Sequence, residues 1–199
     1  MSEQNLSLSP FIMVWTAPRR TIRHVVATSE VGIAYLLAGL AGIADLITRD
    51  NQNFPETLGA LLVTVTGGFL TGLLVVFLGG YLLRWTGRWI GGTGELRDIR
   101  LAYGWSSVPK VVTAAIVIGA WFVLGPSFYS QPDSAVDAII IVAIVVLSIW
   151  SVVLHVHCLG EVQGFSAWKG LGNSILAGLV VVIPLATVII IISVISSSR

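Results

Sequence analysis

Five runs of apolar residues constrain this chain more than anything else in it: roughly 31–47, 58–83, 108–124, 135–159 and 171–195. Several reach or exceed the ~20 residues that a helix needs to cross a ~30 Å hydrocarbon core. Val and Ile crowd the last two runs, which raises β-strands as an alternative. An open strand cannot cross lipid, because its backbone polar groups would go unpaired, and barrel strands are shorter and alternate polar with apolar residues. These runs do not alternate, so helices are expected. Composition agrees: charged residues make up 11% of the chain, against about 25% in soluble domains. The expected fold is all-α, a polytopic membrane bundle of five transmembrane helices with short interfacial amphipathic helices. It forms one domain over residues 10–199 behind a polar tail, 1–9.

Other classes drop out quickly. A net charge of +1 offers no bulk attraction for nucleic acid. The single cysteine, Cys158, excludes an intrachain disulfide. The start, MSEQNLSLSP, lacks the basic-then-apolar pattern of a cleaved signal. The first span is therefore expected to act as its own insertion signal. No hydrolase elbow, phosphate-cradling loop or metalloprotease motif is present, and no cofactor is expected.

Local signals divide the remainder. Thr16 is expected to cap a helix whose first turn holds Pro18, with Arg19, Arg20 and Arg23 facing lipid phosphate from an interfacial helix. Gly91-Gly92 should end the second span. Thr93 is expected to cap a second interfacial helix over 94–104, with Leu96, Ile99 and Tyr103 at helical spacing and Arg97 and Arg100 on one flank. Ser106 and Ser107 then offer caps, and Pro109 sits where its missing N–H costs least. Gly68 and Gly72 have the GxxxG spacing that lets helices approach closely. Pro184 is expected to break and kink the fifth span.

Orientation follows from charge. Five crossings with the N-terminus inside place residues 1–30, 84–107 and 160–170 together. That side holds Arg19, Arg20, Arg23, Arg84, Arg88, Arg97, Arg100, Lys169 and, at its border, Lys110; the other holds Arg49 and Arg199. Nine against two is a strong positive-inside bias. Trp15, Trp85, Trp89, Trp105 and Trp168 fall at the same boundary.

Few side chains suggest chemistry. His155, His157, Cys158 and Glu161 form the densest group of metal-ligand types. On a helix His157 and Glu161 share one face, and His155 and Cys158 another, so they do not make one preformed metal site. Asp45 is the one acid well inside a span, where a carboxylate defaults to a functional hypothesis. Its i+4 neighbour Arg49 makes a snorkelling ion pair the expected outcome. Glu161 is expected to pair with an inner arginine and tie 160–170 to the 91–110 segment.

Several stretches carry a resemblance. Trp15-Thr-x-Pro18-Arg, Gly92-Thr-Gly with Leu-Arg-Asp98 after it, Ala102-Tyr-Gly-Trp-Ser106-Ser-Val-Pro109, and Glu161-Val-Gln163-Gly-Phe-Ser-Ala-Trp168-Lys together resemble the Ypt-interacting protein (YIP) family of five-pass membrane proteins, in its bacterial branch. Trp105 replaces the second Tyr of the family's Tyr-Gly-Tyr-Ser-x-x-Pro pattern, and the acidic Asp-Leu-Tyr-Gly-Pro segment of eukaryotic members is absent. The resemblance implies a non-enzymatic protein with a cytoplasmic N-terminus that acts through partners or lipids, and it marks Asp98, Ser106, Pro109, Glu161, Gln163 and Trp168 as candidates.

The resulting expectation is a multi-pass protein of the bacterial inner membrane with its C-terminus outside. Its inner face would bind anionic headgroups or a partner protein through Arg19, Arg20, Arg23, Arg97 and Arg100. The alternative is a small transporter or channel whose copies associate through glycine faces. A metalloenzyme using His155, His157 and Glu161 ranks third.

Overall fold

The structure, a computed structural model, describes residues 9–49, 55–125, 128, 132 and 134–197. Most of the expected polar tail and Arg199 lie outside these residues. Helices are the regular structure among the described residues: α1 (Pro10–Met13), α2 (Pro18–Thr28), α3 (Val31–Ile47), α4 (Leu58–Trp89), α5 (Leu96–Ser106), α6 (Val108–Leu124), α7 (Ala135–Gln163) and α8 (Ala167–Ser197).

Four helical segments are long and apolar enough to cross a membrane: Leu58–Trp89, Leu96–Leu124, Ala135–Gln163 and Ala167–Ser196. The first expected span, α3, is apolar but has 17 residues. At 1.5 Å per residue it reaches about 26 Å, a little under the thickness of a bilayer core.

Helix α3 packs against α4 in antiparallel fashion, and small residues set the distance between them. A Cβ added at Gly72 would collide with the carbonyl of Ala38, and one at Gly42 with the carbonyl of Gly68. The Gly68–Gly72 spacing thus has a defined partner, Gly42 of α3. A second close crossing places Gly104 of α5 on the backbone of Ala34.

Helix α5 is more deeply packed than its charges suggest: it lies against α2, α3, α4 and α7. Ile99, Leu101 and Ala102 are fully buried and Trp105 nearly so. Only Ser107, in the right-handed helical region, separates α5 from α6. Charges at 97, 98 and 100 mask an apolar face that fills the middle of the bundle.

The caps also differ. Helix α2 begins after Ala17, with Pro18 in its first turn as expected. Thr16 does not cap it: Ala17 holds the N-cap position without a side-chain bond, and the Thr16 N–H closes on Met13 O in the turn after α1. Thr93 does not cap α5 either; its N–H donates to the carbonyl of Gln163, which ties that turn to the end of α7. The Ser106 and Ser107 hydroxyls donate back to the Tyr103 carbonyl at 2.8 and 2.9 Å instead of capping α6. Helix α7 opens with a capping box between Ser134 and Asp137 and ends on Gly164 in the left-handed region, which a residue without a Cβ adopts freely. Helix α8 passes through Pro184 without interruption: proline removes one backbone hydrogen bond yet has a helical φ. From Val181 to Ser196 every residue of α8 is exposed.

Candidate functional site

The end of the bundle where α2, α5 and the α7–α8 turn meet carries most of the charge. Glu161, near the end of α7, receives two arginines from α2: Arg19 at 3.3 Å and Arg23 at 3.3 Å. Arg19 also donates to the carbonyl of Phe165 at 3.0 Å. Glu161 thus meets an inner arginine as expected, but the segment it fastens is α2, not 91–110. Two guanidinium groups share one carboxylate, and exposed Arg20 makes no ion pair among the described residues.

Beside these arginines, α2 and α7 border an open groove of about 600 Å³. Its basic end is lined by Arg19, Arg20 and Arg23, and its floor by Trp150, Val153, Leu154 and His157. Trp15 and Pro18 form the opposing wall. The floor residues recur at i, i+3, i+4 and i+7, one face of a helix.

Arg97 and Arg100 are employed internally. Arg97 donates to the carbonyls of Val26 at 3.0 Å and Ser29 at 2.6 Å, holding the end of α2, and pairs with Asp98 at 3.2 Å. Arg100 lies over the rings of Tyr35, Phe77 and Tyr81 at 5.7, 4.8 and 4.8 Å and donates to the Phe77 carbonyl. Its buried Nε has no hydrogen-bond partner among the described residues, so the aromatic faces supply much of its stabilisation. Both arginines are thus tied into the fold, with 47% of Arg97's side chain still exposed.

Gln163 joins three segments. It is buried, donates to the carbonyl of Leu83 at 3.0 Å and accepts from Gly94 N at 3.1 Å. Asn173 of α8 donates to the same Leu83 carbonyl at 3.0 Å and accepts from the Thr86 hydroxyl at 2.7 Å. Side chains at Gly87, Gly92 or Gly94 would run into Gln163. Those glycines are therefore required by close packing against an amide.

Deeper in the bundle lies a polar track. Asp45 does not pair with Arg49 as expected; Lys110 of α6 donates to both its carboxylate oxygens at 2.8 and 2.9 Å. Arg49 sits at the end of α3, whereas Lys110 reaches Asp45 from a helix packed along α3. Lys110 also lines a cleft of about 260 Å³ with Tyr103, Ser106, Ser107, Ser151 and His155. His155 lies between two hydroxyls, Ser106 Oγ at 3.3 Å from Nδ1 and Ser174 Oγ at 3.1 Å from Nε2. Ser151 donates to the Ser106 carbonyl at 2.9 Å.

The metal candidates separate accordingly. His155 enters the polar track, His157 lines the groove, and Glu161 binds arginines. Among the described residues no group of three His, Cys, Asp or Glu is placed to hold a metal. Pro109 is buried at the start of α6, and Trp168 is exposed at the start of α8. Sequence reading missed Lys110 as the partner of Asp45, the Thr86–Asn173 pair, the rings around Arg100 and the groove floor. A lone amide at 173 and a lone indole at 150, each within an apolar run, were the available signals.

The family model of the Yip1 domain matches residues 12–192. No curated protein matches the chain, and no solved structure does. With helices long and apolar enough for several crossings, this is an integral membrane protein of multi-pass type. The match runs from α1 into the last turns of α8, and the chain belongs to the Yip1 domain family.

Proposed function

We propose that this is a non-enzymatic membrane protein that organises lipid or a partner protein at its cytoplasmic face. The reading takes five crossings, with α3 as the shortest, a cytoplasmic N-terminus, an outer C-terminus and residence in a bacterial inner membrane. The positive-inside count and the placement of tryptophan support that orientation.

The observation that carries the reading is the fastening of α2. Internal groups hold this basic helix at both ends: Glu161 and the Phe165 carbonyl at one, Arg97 at the other. Arg20 and Arg23 consequently project from a fixed platform. A topological determinant alone does not need such anchoring. Anionic headgroups, or an acidic partner surface, are the ligands that match it. The test is retention of anionic over zwitterionic lipid by purified full-length protein, together with cross-linking in cells. Arg20→Gln with Arg23→Gln should reduce at least one of the two; no change in either rejects the reading.

A second reading, a small transporter or channel, gains support from the polar track around Asp45, Lys110 and His155. Polar groups inside lipid-crossing helices mark solute or ion pathways more often than chance. Solute or ion flux in proteoliposomes, abolished by Asp45→Asn or His155→Ala, would place this reading first.

A further inference from the structure

We infer that the groove between α2 and α7 holds a single anionic phospholipid, its phosphate at Arg20 and Arg23 and one acyl chain along Trp150, Val153 and Leu154. This deepens the reading of the cytoplasmic face and rests on it.

Three observations converge on that occupant. The first is charge. Two of the three arginines at the groove's end share Glu161, whose side chain is 19% exposed, while Arg23 keeps 67% of its side chain in the open. Three cations stand beside one carboxylate, so the basic end retains an excess of positive charge, Arg20 making no ion pair among the described residues. A phosphodiester matches it, because guanidinium groups offer donors in the planar geometry that phosphate oxygens accept.

The second is the gradient along α7. Glu161 and Trp150 are eleven residues apart in sequence, about 16 Å along the helix axis. Over that length the lining passes from arginine through His157 to Leu154, Val153 and Trp150. Polarity therefore falls along a membrane-crossing helix, in the same direction as in a lipid molecule. A soluble phosphate or an acidic peptide would meet the arginines and leave the apolar floor uncovered.

The third is the indole pair. Trp15 and Trp150 both border the groove, and such rings combine an apolar body with one polar N–H, which suits the boundary between glycerol and acyl chain. The groove's volume, about 600 Å³, falls within the range of small-molecule sites. It accommodates a headgroup and the upper part of a chain, with the remainder running out along α7.

The test uses full-length protein, delipidated in mild detergent and titrated with phosphatidylglycerol or phosphatidylcholine, with bound lipids counted by native mass spectrometry. One phosphatidylglycerol should be retained in preference to phosphatidylcholine, and millimolar inorganic phosphate should not displace it. Arg20→Gln with Arg23→Gln should lower that preference about thirtyfold, since each arginine near an anionic surface contributes about fivefold. Val153→Trp, which fills the floor without touching the arginines, should abolish the single retained lipid. Unchanged thermal unfolding of both variants will show that they fold. Equal retention of the two lipids, or displacement by inorganic phosphate, overturns the inference. If the arginine variant loses its preference while Val153→Trp binds normally, the cytoplasmic-face reading stands and the groove does not. If neither variant alters lipid binding or cross-linking, both fall together.

Discussion

Asp45 on α3 and Lys110 on α6 form a two-pronged ion pair, with Lys110 Nζ at 2.8 and 2.9 Å from the two carboxylate oxygens. Sixty-five positions separate them in the chain, and the pair fixes how far α6 slides along α3. Lys110 keeps only 27% of its side chain exposed, so removing Asp45 leaves that charge poorly solvated, which costs more than the pair itself contributes. Asp45→Leu and Lys110→Leu should each lower thermal stability in detergent, while the double variant recovers most of the loss. A double-mutant cycle with coupling of about 1–3 kcal/mol is the expected result, and simple additivity would exclude the coupling.

The glycine crossing predicts a contrast within one helix. Gly72→Ala pushes a methyl into the Ala38 carbonyl, whereas Gly79 has open space around it. Overpacking of this kind costs about 1–3 kcal/mol. Gly79→Ala should be neutral or slightly stabilising. Melting temperatures of the two variants in the same micelle check the prediction.

Gln163→Leu keeps the approximate volume and removes the bonds to Leu83 O and Gly94 N. Leu83 O keeps its bond from Asn173, so Gly94 N–H is the group left unsatisfied, at a cost of about 1–3 kcal/mol. The turn over 91–95 should loosen, so trypsin should cut at Arg88 or Arg97 faster than in the parent protein. An unchanged digestion rate would show that the backbone bond from Thr93 to Gln163 is enough to hold the turn.

Arg100→Lys preserves charge but not the flat guanidinium that stacks among Tyr35, Phe77 and Tyr81. The substitution should destabilise by about 1 kcal/mol. Arg19→Lys, at a partly exposed pair, should cost less, and its effect should fade with added salt. Parallel melts at low and high ionic strength separate the two arginines.

Helix type and placement were legible because long apolar runs admit little else in lipid. The 31–47, 108–124 and 135–159 segments sit inside observed helices with nearly the same limits. Pairing between distant positions was not legible. Arg49 was the natural partner of Asp45 by helical spacing, yet Lys110 is delivered by tertiary packing, which no local pattern encodes. Helix α5 was obscured for a related reason: Arg97, Asp98 and Arg100 lie within one turn of it and mask its apolar face, and the two arginines meet carbonyls, Asp98 and rings supplied by the fold. The groove floor was hidden because α7 is apolar on every side, so a functional stripe does not stand out from its background. Glu161 and the α2 arginines were found because opposite charges near the same boundary have few other partners.

The exposed C-terminal half of α8 has a mechanical corollary. Val181 through Ser196 are all exposed, so the surrounding acyl chains weigh heavily on the tilt of that rod. Thinner membranes should lean it further over while the arginine-bearing end stays put. A spin label on Ile190 would then report bilayer thickness, and one on Leu101 would be indifferent to it.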